Sequence, residues 1–498
     1  MTTTETRPAA QDSMFEVRNP ASGLVVGRYP NRTPAQVEAA VARAHEAAAE
    51  WAAMGFAERG RVLDRWRAEI VRGRNDLARI MHQEMGKPIS DAKLEIVMAL
   101  EHLKWAARNA QRVLGRRAVG SSLLTLNQAS SVEYRPFGVV GIIGPWNYPV
   151  FTPLSSISFA LAAGNAVVFK PSEYTPGVGL WLAEAFTRAL PTRPVLQVVT
   201  GAGETGAALC RSRVGKIGFT GSTETGKRVL AACAERLTPV LMECGGKDAL
   251  IVDADADLDA AADAAIWGGM SNAGQTCLGV ERVYVHTAVY DEFLSKLRTL
   301  AGDLRAGNGT AQIGPITMPK QLEVIRRHLD DAIARGGRAL LGGSESISGQ
   351  FVQPTILVDV PEDAAAVVEE TFGPTLTVAR VTDMDEAVER VNASEYGLGA
   401  TVFARRDGVA IADRINSGAT SVNAFVAHAT VPALPLGGVG ASGFGRVHGP
   451  DGLREFTYAK ATTRQRFPSP LALTTFRRSA RVDFVVDVLT AALHGRIG

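Results

Sequence analysis

An α/β protein with two parallel-sheet domains is what the sequence predicts, on three grounds. From Gly138 onward, short β-branched runs alternate with Ala-rich helical runs: GVVGII, then 154–163, AVVFK, 179–190, VLQVV, 205–210, KIGFT and 225–236. That rhythm gives a parallel sheet with helices on both faces. A second series of the same texture opens with ALIV at Ala249, runs through ERVYVH, PTILVDV, TLTVARV and GATVFA, and closes with TSVN. The third ground is capacity: 498 residues, 46% hydrophobic and 21% charged, can bury the cores of two or three domains.

The elements follow in chain order. Residues 1–13 are Thr-rich and polar, with no apolar core, so they read as a disordered tail and not as a secretory signal, and the cytoplasm is the expected compartment. Residues 34–112 read as helical, since Val37, Ala40, Val41 and Ala44 fall at i, i+3, i+4 and i+7. At 122–135, LLTLN and SVEYR flank a polar QAS and predict a two-stranded hairpin. The alternating region occupies most of what remains. Residues 476–493 then predict a helix with Val482, Val485, Val486, Leu489 and Leu493 on one side, behind Arg477, Arg478 and Arg481. A basic amphipathic end of this kind fits an anionic membrane surface, but a core-facing helix against the protein's own body or a sister subunit is the preferred reading.

Several classes are excluded. With 53 Lys plus Arg against 51 Asp plus Glu, the formal net charge is +2, which gives nucleic acid nothing to bind. Gly, Pro or charge interrupts every apolar run before the ~20 residues that a spanning helix needs. The four cysteines, Cys210, Cys233, Cys244 and Cys277, show neither C-x-x-C pairing nor His ligand spacing, so each is read as a free thiol and no metal site is expected.

Two glycine loops join strands to helices. GAGETG, which includes Gly203, is a formal G-x-G-x-x-G, but the strand after it ends at Thr220 and Gly221 without the acid that clamps a ribose in the standard fingerprint. GSTETG begins at Gly221; either it seats a phosphate at a helix N-terminus, or Gly221 makes a tight turn that Ser222 or Thr223 caps.

Three residues carry candidate chemistry. Cys277, in SNAGQTC, stands among small and polar residues whose flexible, uncrowded backbone suits a nucleophile, whereas Cys210 and Cys233 sit among Ala and Leu as core thiols. An ordinary Cys is only a few per cent thiolate at neutral pH, so a working one needs positive potential or a nearby base. Glu243, in LMECGGKD, ends an apolar strand-like run; burial suits it to general-base work, and pairing with Lys247 is the competing structural role. Asn147, in GPWNYP, is an amide held between prolines that can donate to an oxyanion or merely stabilise a turn.

Taken together, PWNYP, KPSE, FTGST, ECGGK, GQTC, ETFGP and PLGGVGASGFGR resemble the aldehyde dehydrogenase superfamily in order and approximate spacing, over about Asn19 to Thr457. The resemblance implies an aldehyde dehydrogenase-like fold. A Rossmann-like cofactor domain would comprise 14–118 and 137–246, and a catalytic domain 247–457. A β-hairpin oligomerisation arm would comprise 119–136 and 458–475, with the amphipathic helix at 476–498 beyond it. It also implies the roles. Cys277 attacks the aldehyde carbon, the Asn147 amide and the Cys277 backbone N–H hold the oxyanion, and Glu243 activates water on the thioester. Lys170 and Glu173 would hold the adenosine ribose, Ser222 the pyrophosphate and Glu370 the nicotinamide ribose, with Trp146 and Phe372 close by, and Ser172, Gly203 and Gly221 complete the cofactor-binding set. Since Glu173 accepts from a free 2′-hydroxyl and repels a 2′-phosphate, NAD is expected in preference to NADP. The arm implies a homodimer or homotetramer.

There are departures from the family pattern. Cys244 stands where the motif has Leu, Asp248 replaces Asn or Ser, and the chain runs about 40 residues past the usual end region. Ser155 occupies the place where succinate semialdehyde dehydrogenases carry a carboxylate-binding Arg and other relatives a Trp. An uncharged aromatic or medium-chain aliphatic aldehyde is therefore the expected substrate, with succinate or a related semialdehyde as the alternative. A cofactor-independent cysteine esterase, a different class, would need one of His286, His428 or His448 as partner to the thiol.

Overall fold

The computed structural model describes residues 13–309, 311–469, 471 and 473–495. Apart from Ser13, the expected disordered tail lies outside the described residues. The chain divides into two compact units, Met1–Val113 with Pro136–Tyr458 and Leu114–Arg135 with Ala459–Gly498.

The larger unit contains two large sheets besides short two-stranded ones. Val139–Ile143, Ala166–Lys170, Lys216–Thr220 and Val240–Glu243 are almost wholly buried, as their near-continuous β-branched runs require of strands covered on both faces. With Leu196–Val198 they form a parallel sheet, closed at one edge by the antiparallel Gly443–Phe444. In spatial order the parallel strands read Val240–Glu243, Lys216–Thr220, Val139–Ile143, Ala166–Lys170, Leu196–Val198. The direction of winding reverses between Lys216–Thr220 and Val139–Ile143. A crevice therefore opens past the carboxyl ends of those two strands, where Ile143 leads into Gly144–Asn147 and Thr220 into Gly221 and Ser222.

The second sheet has seven strands, ordered Arg338–Leu341, Thr355–Val358, Thr375–Val381, Val280–His286, Asp248–Val252, Gly399–Phe403, Ala419–Val422, and all are parallel except the first. Only four residues separate Glu243, the last residue of a strand in one sheet, from Asp248, the first of a strand in the other. The carboxyl end of the first sheet thereby faces the amino end of the second.

The N-terminal helices cover the first sheet. Thr33 caps Pro34–Ala53 through a capping box with Gln36, and the buried positions Val37, Ala40, Val41, Ala44, Ala47, Ala48 and Trp51 follow the expected period. Trp51 and Trp66 each donate an indole N–H, at 3.0 Å, to the carbonyls of Leu161 and Leu182, pinning these helices to the layer beneath. A short hairpin, Met14–Arg18 with Val25–Pro30, precedes them and was not foreshadowed by strict alternation in the sequence.

The smaller unit is built on a three-stranded sheet of Thr457–Gln465, Gln128–Pro136 and Arg117–Val119. The predicted hairpin is corrected here. LLTLN does not form its first strand, because Ser122 and Thr125 cap a single 3-10 turn over Leu123–Thr125, and Arg117–Val119 pairs in its place. In the helix Ala480–His494, Val482, Val485, Val486 and Leu489 are half-buried, while Leu493 is exposed and falls outside the predicted stripe. Among the described residues no helix is long and apolar enough to cross a membrane.

Candidate active site

Cys277 and Glu243 line one cavity of about 550 Å³ between the facing sheet ends. Cys277 is half-buried on the turn that leads into Val280–His286, and Glu243 is buried at the end of its strand.

The turn carrying the thiol is not flexible and uncrowded, as its small residues suggested. Asn272, Ala273 and Gly274 are successively left-handed, with φ of 52°, 58° and 70°, a run that only a rigid surrounding maintains. That surrounding is Gln275, buried to 1% exposure. Its amide donates to Asn272 O at 2.8 Å and to Pro315 O at 3.2 Å, and its side-chain oxygen accepts from Thr317 N at 2.8 Å. A Cβ on Gly274 would lie 2.0 Å from Gly373 O, so this position must be glycine.

Asn147 sits directly behind the turn. Its Nδ2 donates to Gln275 O at 3.0 Å, which leaves the amide's second N–H. Its own carbonyl accepts from Lys87 Nζ at 2.7 Å and from Asn272 Nδ2 at 3.1 Å. Lys87, buried, is ion-paired with Glu95 and lies 3.9 Å from the centre of the Tyr148 ring. Glu95 in turn accepts from the backbone N–H groups of Val150 and Phe151 at 2.8 and 2.9 Å, capping the helix Phe151–Ala163. Neither Lys87, Glu95 nor Gln275 was identified from the sequence; 55 residues separate Glu95 from the amide it caps, and no local signal spans that distance.

Glu243 is not paired with Lys247, the competing reading. The Lys247 ammonium is ion-paired with Glu281 and also donates to Thr371 Oγ1 at 3.1 Å. Glu243 retains one hydrogen bond, from Thr220 Oγ1 at 3.2 Å, and burial lifts its pKa to about 7. Burial, helped by the nearby carboxyls of Glu243, Asp248 and Glu370, also pushes the Cys277 thiol up. The resting nucleophile is therefore a neutral thiol beside a carboxyl whose pKa lies near neutrality.

The remaining predicted residues border the crevice of the first sheet. Lys170, buried at a strand end, reaches Glu173 at 3.2 Å, and Ser172 Oγ accepts from Tyr174 N. Ser222 Oγ accepts from Thr225 N at 3.3 Å, so it does cap Thr223–Ala234, whose first turn still presents backbone N–H groups and a positive dipole end. A Cβ on Gly221 would meet the Phe219 ring at 2.7 Å, and one on Gly245 the Glu370 carboxyl at 2.3 Å. Both positions are thus held to glycine by close approach of these side chains. Glu370 accepts from Gly246 N at 3.1 Å, and burial raises its pKa to about 8. The rings of Trp146 and Phe372 meet edge to face at 5.8 Å. Gly203 begins the helix Gly203–Arg211 beyond the edge strand, with the strands Ala166–Lys170 and Val139–Ile143 between it and the Gly221 turn. Phosphate-facing N–H groups, an acid beside a buried lysine and an aromatic wall fit a dinucleotide.

A model of the aldehyde dehydrogenase family matches residues 7–462. The chain is similar to a glutarate-semialdehyde dehydrogenase of Pseudomonas putida, 38% identical over 90% of this chain and 93% of the relative. It is also similar to a 4,4'-diapolycopene aldehyde oxidase of a Methylomonas species, 35% identical over 90% and 86%. A solved NADP-dependent enzyme of Escherichia coli superposes with a TM-score of 0.88 at 34% identity, covering 91% of this chain and 95% of that one.

The raised Glu243 carboxyl has a consequence for stability. Between its ordinary value of 4.5 and about 7 the folded state binds the extra proton, so stability falls as pH rises through that window. Glu243→Gln removes this penalty, at most about 3 kcal/mol. The thermal midpoint of the variant should exceed that of the unaltered protein at pH 8 and approach it at pH 5. Equal midpoints at pH 8 would mean that a partner holds the carboxylate ionised.

Proposed function

The chain belongs to the aldehyde dehydrogenase family, and we propose that it oxidises an uncharged aromatic or medium-chain aliphatic aldehyde to the carboxylic acid, with NAD preferred over NADP. The observation that carries the reading is the shared cavity of Cys277 and the unpaired Glu243.

The Cys277 thiol gives up its proton to solvent, and its sulfur adds to the aldehyde carbon. The free Asn147 N–H and the Cys277 backbone N–H receive the resulting oxyanion. Bound nicotinamide supplies the hydride acceptor, and the carbon is left as a thioester on Cys277. Glu243, as the ionised carboxylate, then draws a proton from water, hydroxide adds to the thioester, and the thiolate leaves and takes that proton back from Glu243 as the acid departs. Lys170 and Glu173 would hold the adenosine ribose, Ser222 the pyrophosphate and Glu370 the nicotinamide ribose. A homodimer or homotetramer would form through the exposed strands of the smaller unit's sheet.

The substrate reading rests on charge. Among the described residues Lys87 is the one Lys or Arg lining the cavity, and its ammonium is already engaged by Glu95 and Asn147 O, while Asp91, Glu95, Asp263 and Glu243 line the same walls. A semialdehyde's distal carboxylate would enter without a counterion. Ser155 offers none, because its Oγ donates to Phe151 O at 2.8 Å. Leu94, Met98, Phe151, Trp267 and Phe425 supply apolar wall.

Four outcomes are expected. Cys277→Ala forms no NADH. Glu243→Gln gives a burst of NADH without sustained turnover, and in the unaltered protein hydrolysis-limited turnover climbs with pH around 7 as Glu243 ionises; full turnover by the Gln variant would remove Glu243 from this role. Across an aldehyde panel, kcat/KM for octanal or benzaldehyde exceeds that for succinate or glutarate semialdehyde, and the reverse order defeats the substrate assignment. For the cofactor, kcat/KM is higher with NAD than with NADP, and Glu173→Ser narrows the ratio; a preference for NADP in the unaltered protein would refute the part given to Glu173.

A further inference from the structure

None of the steps of the proposed reaction uses Lys87, yet it carries a charge into the wall of the cavity that holds Cys277. Its side chain is 1% exposed, as is that of its partner Glu95. A buried ion pair often adds no stability over apolar residues of the same volume, so its presence at this place calls for another reason. The turn that carries Lys87 is firmly built. Gly86 is left-handed at φ 79°, a Cβ on it would lie 2.3 Å from Pro315 Cγ, and Lys87 O is 2.9 Å from His82 Nδ1.

From that turn the ammonium makes three contacts. It pairs with Glu95, lies 3.9 Å from the centre of the Tyr148 ring, and donates to Asn147 O at 2.7 Å. Neutralising Glu95 accounts only for the first. The third falls on the backbone of the candidate oxyanion donor itself. Asn147 O also accepts from Asn272 Nδ2 at 3.1 Å, so both of its lone pairs are taken and the direction of the carbonyl is set. Beside it, Asn147 Nδ2 donates to Gln275 O, and Tyr148 Oη is 3.0 Å from Thr276 Oγ1. The segment is thereby bonded to the thiol turn through its side chains and to Lys87 through its backbone. An amide that must keep one N–H aimed at a reacting oxygen depends on such bracing, since a displacement of about 1 Å costs roughly a hundredfold in rate.

We propose that Lys87 is a positioning residue for the reaction: by donating to Asn147 O, while Glu95 holds its ammonium, it keeps the second Asn147 N–H directed at the oxygen of the aldehyde under attack. This deepens the proposed function and rests on it, because that reading makes the N–H an oxyanion donor. Lys87 itself touches no reacting atom.

The test is the burst of NADH formed on rapid mixing of enzyme and NAD with octanal or benzaldehyde, in the unaltered protein, N147A, K87M and the two combined. N147A should slow the burst about a hundredfold, as loss of one oxyanion donor does. K87M should slow it about tenfold or more, but less than about twofold when N147A is already present, because a residue that acts through the amide has nothing left to position. The dissociation constant for NAD, read by quenching of protein fluorescence, should stay within about twofold throughout. K87M/E95Q separates the two tasks of the lysine: with both charges removed no carboxylate is left buried and unpaired, and the burst should remain as slow as in K87M. If K87M does not fold, K87M/E95Q replaces it in the cycle.

A burst restored in K87M/E95Q would mean that Lys87 only neutralises Glu95 and would overturn the proposal. So would equal losses from K87M with and without N147A, no loss at all, or a weakened NAD site that accounts for the slower burst; each of these leaves aldehyde oxidation standing. An unchanged burst in N147A removes the part given to that amide and the proposal with it. Absence of NAD-linked oxidation in the unaltered protein sinks the proposed function as well.

Discussion

The buried amide of Gln275 is the contact on which the rest of the catalytic geometry depends. Three consecutive left-handed residues before it, two of them not glycine, would relax in an unconstrained loop. The amide prevents this by bonding back to Asn272 and across to Pro315 and Thr317, while its backbone carbonyl receives the Asn147 side chain. One side chain therefore fixes the thiol turn, the segment that abuts it and the candidate oxyanion donor together. Such a cluster is rigid because the Gln275, Asn272 and Asn147 amides are each tied to backbone carbonyls, with the second Asn147 N–H left over.

The second constraint is electrostatic, and it turns on where Lys247 goes. Its ammonium sits with Glu281, whose carboxyl also accepts from Thr371 N and Phe372 N, so this ion pair fastens the segment around Glu370 to the second sheet. Glu243, four residues before Lys247, is left with a single hydroxyl partner. Had the lysine paired with Glu243, the carboxyl would have stayed ionised at a low pKa and been a feeble base. Burial, offset only in part by the Thr220 hydroxyl and the charge of Arg446, instead brings its proton affinity to the range where it can take a proton from water near neutrality. The cost in stability at high pH and the competence as a base have one cause.

The alternating series made the two parallel sheets legible, because strands buried on both faces are written as unbroken β-branched runs such as VVGII and AVVFK. That Cys277 and Glu243 are candidates was legible too, Glu243 where an apolar run gives way to small residues and Cys277 among small and polar ones. What stayed hidden depends on partners far apart in the chain. Glu95 is an unremarkable acid in an amphipathic helix until the fold brings Val150 N to it, and Lys87 reads as a surface lysine until it is buried beside Tyr148. The thiol turn misled for a related reason: small residues can mean freedom or enforced crowding, and only the neighbour at Gly373 tells which. LLTLN alternated like a strand, but its flanking Ser122 and Thr125 closed a turn on each other locally before any partner strand could compete.

The groups that handle bonds and the groups that surround the aldehyde come from different parts of the fold. Cys277, Glu243 and Asn147 hang from sheet ends and are braced by Gln275, whereas much of the cavity wall comes from helices and loops: Leu94 and Met98, Trp267, Phe425, and the segment bearing His448. A change in the second set alters what fits without moving the first. Relatives about 35–38% identical and named for a short semialdehyde in one case and a carotenoid aldehyde in another are what such a division allows. It follows that similarity over nine-tenths of the chain bears on the chemistry, and that the identity of the aldehyde has to be argued from the walls. There Lys87, the one Lys or Arg among the described lining residues, is already engaged by Glu95, and this is the ground on which an aldehyde without a carboxylate is proposed.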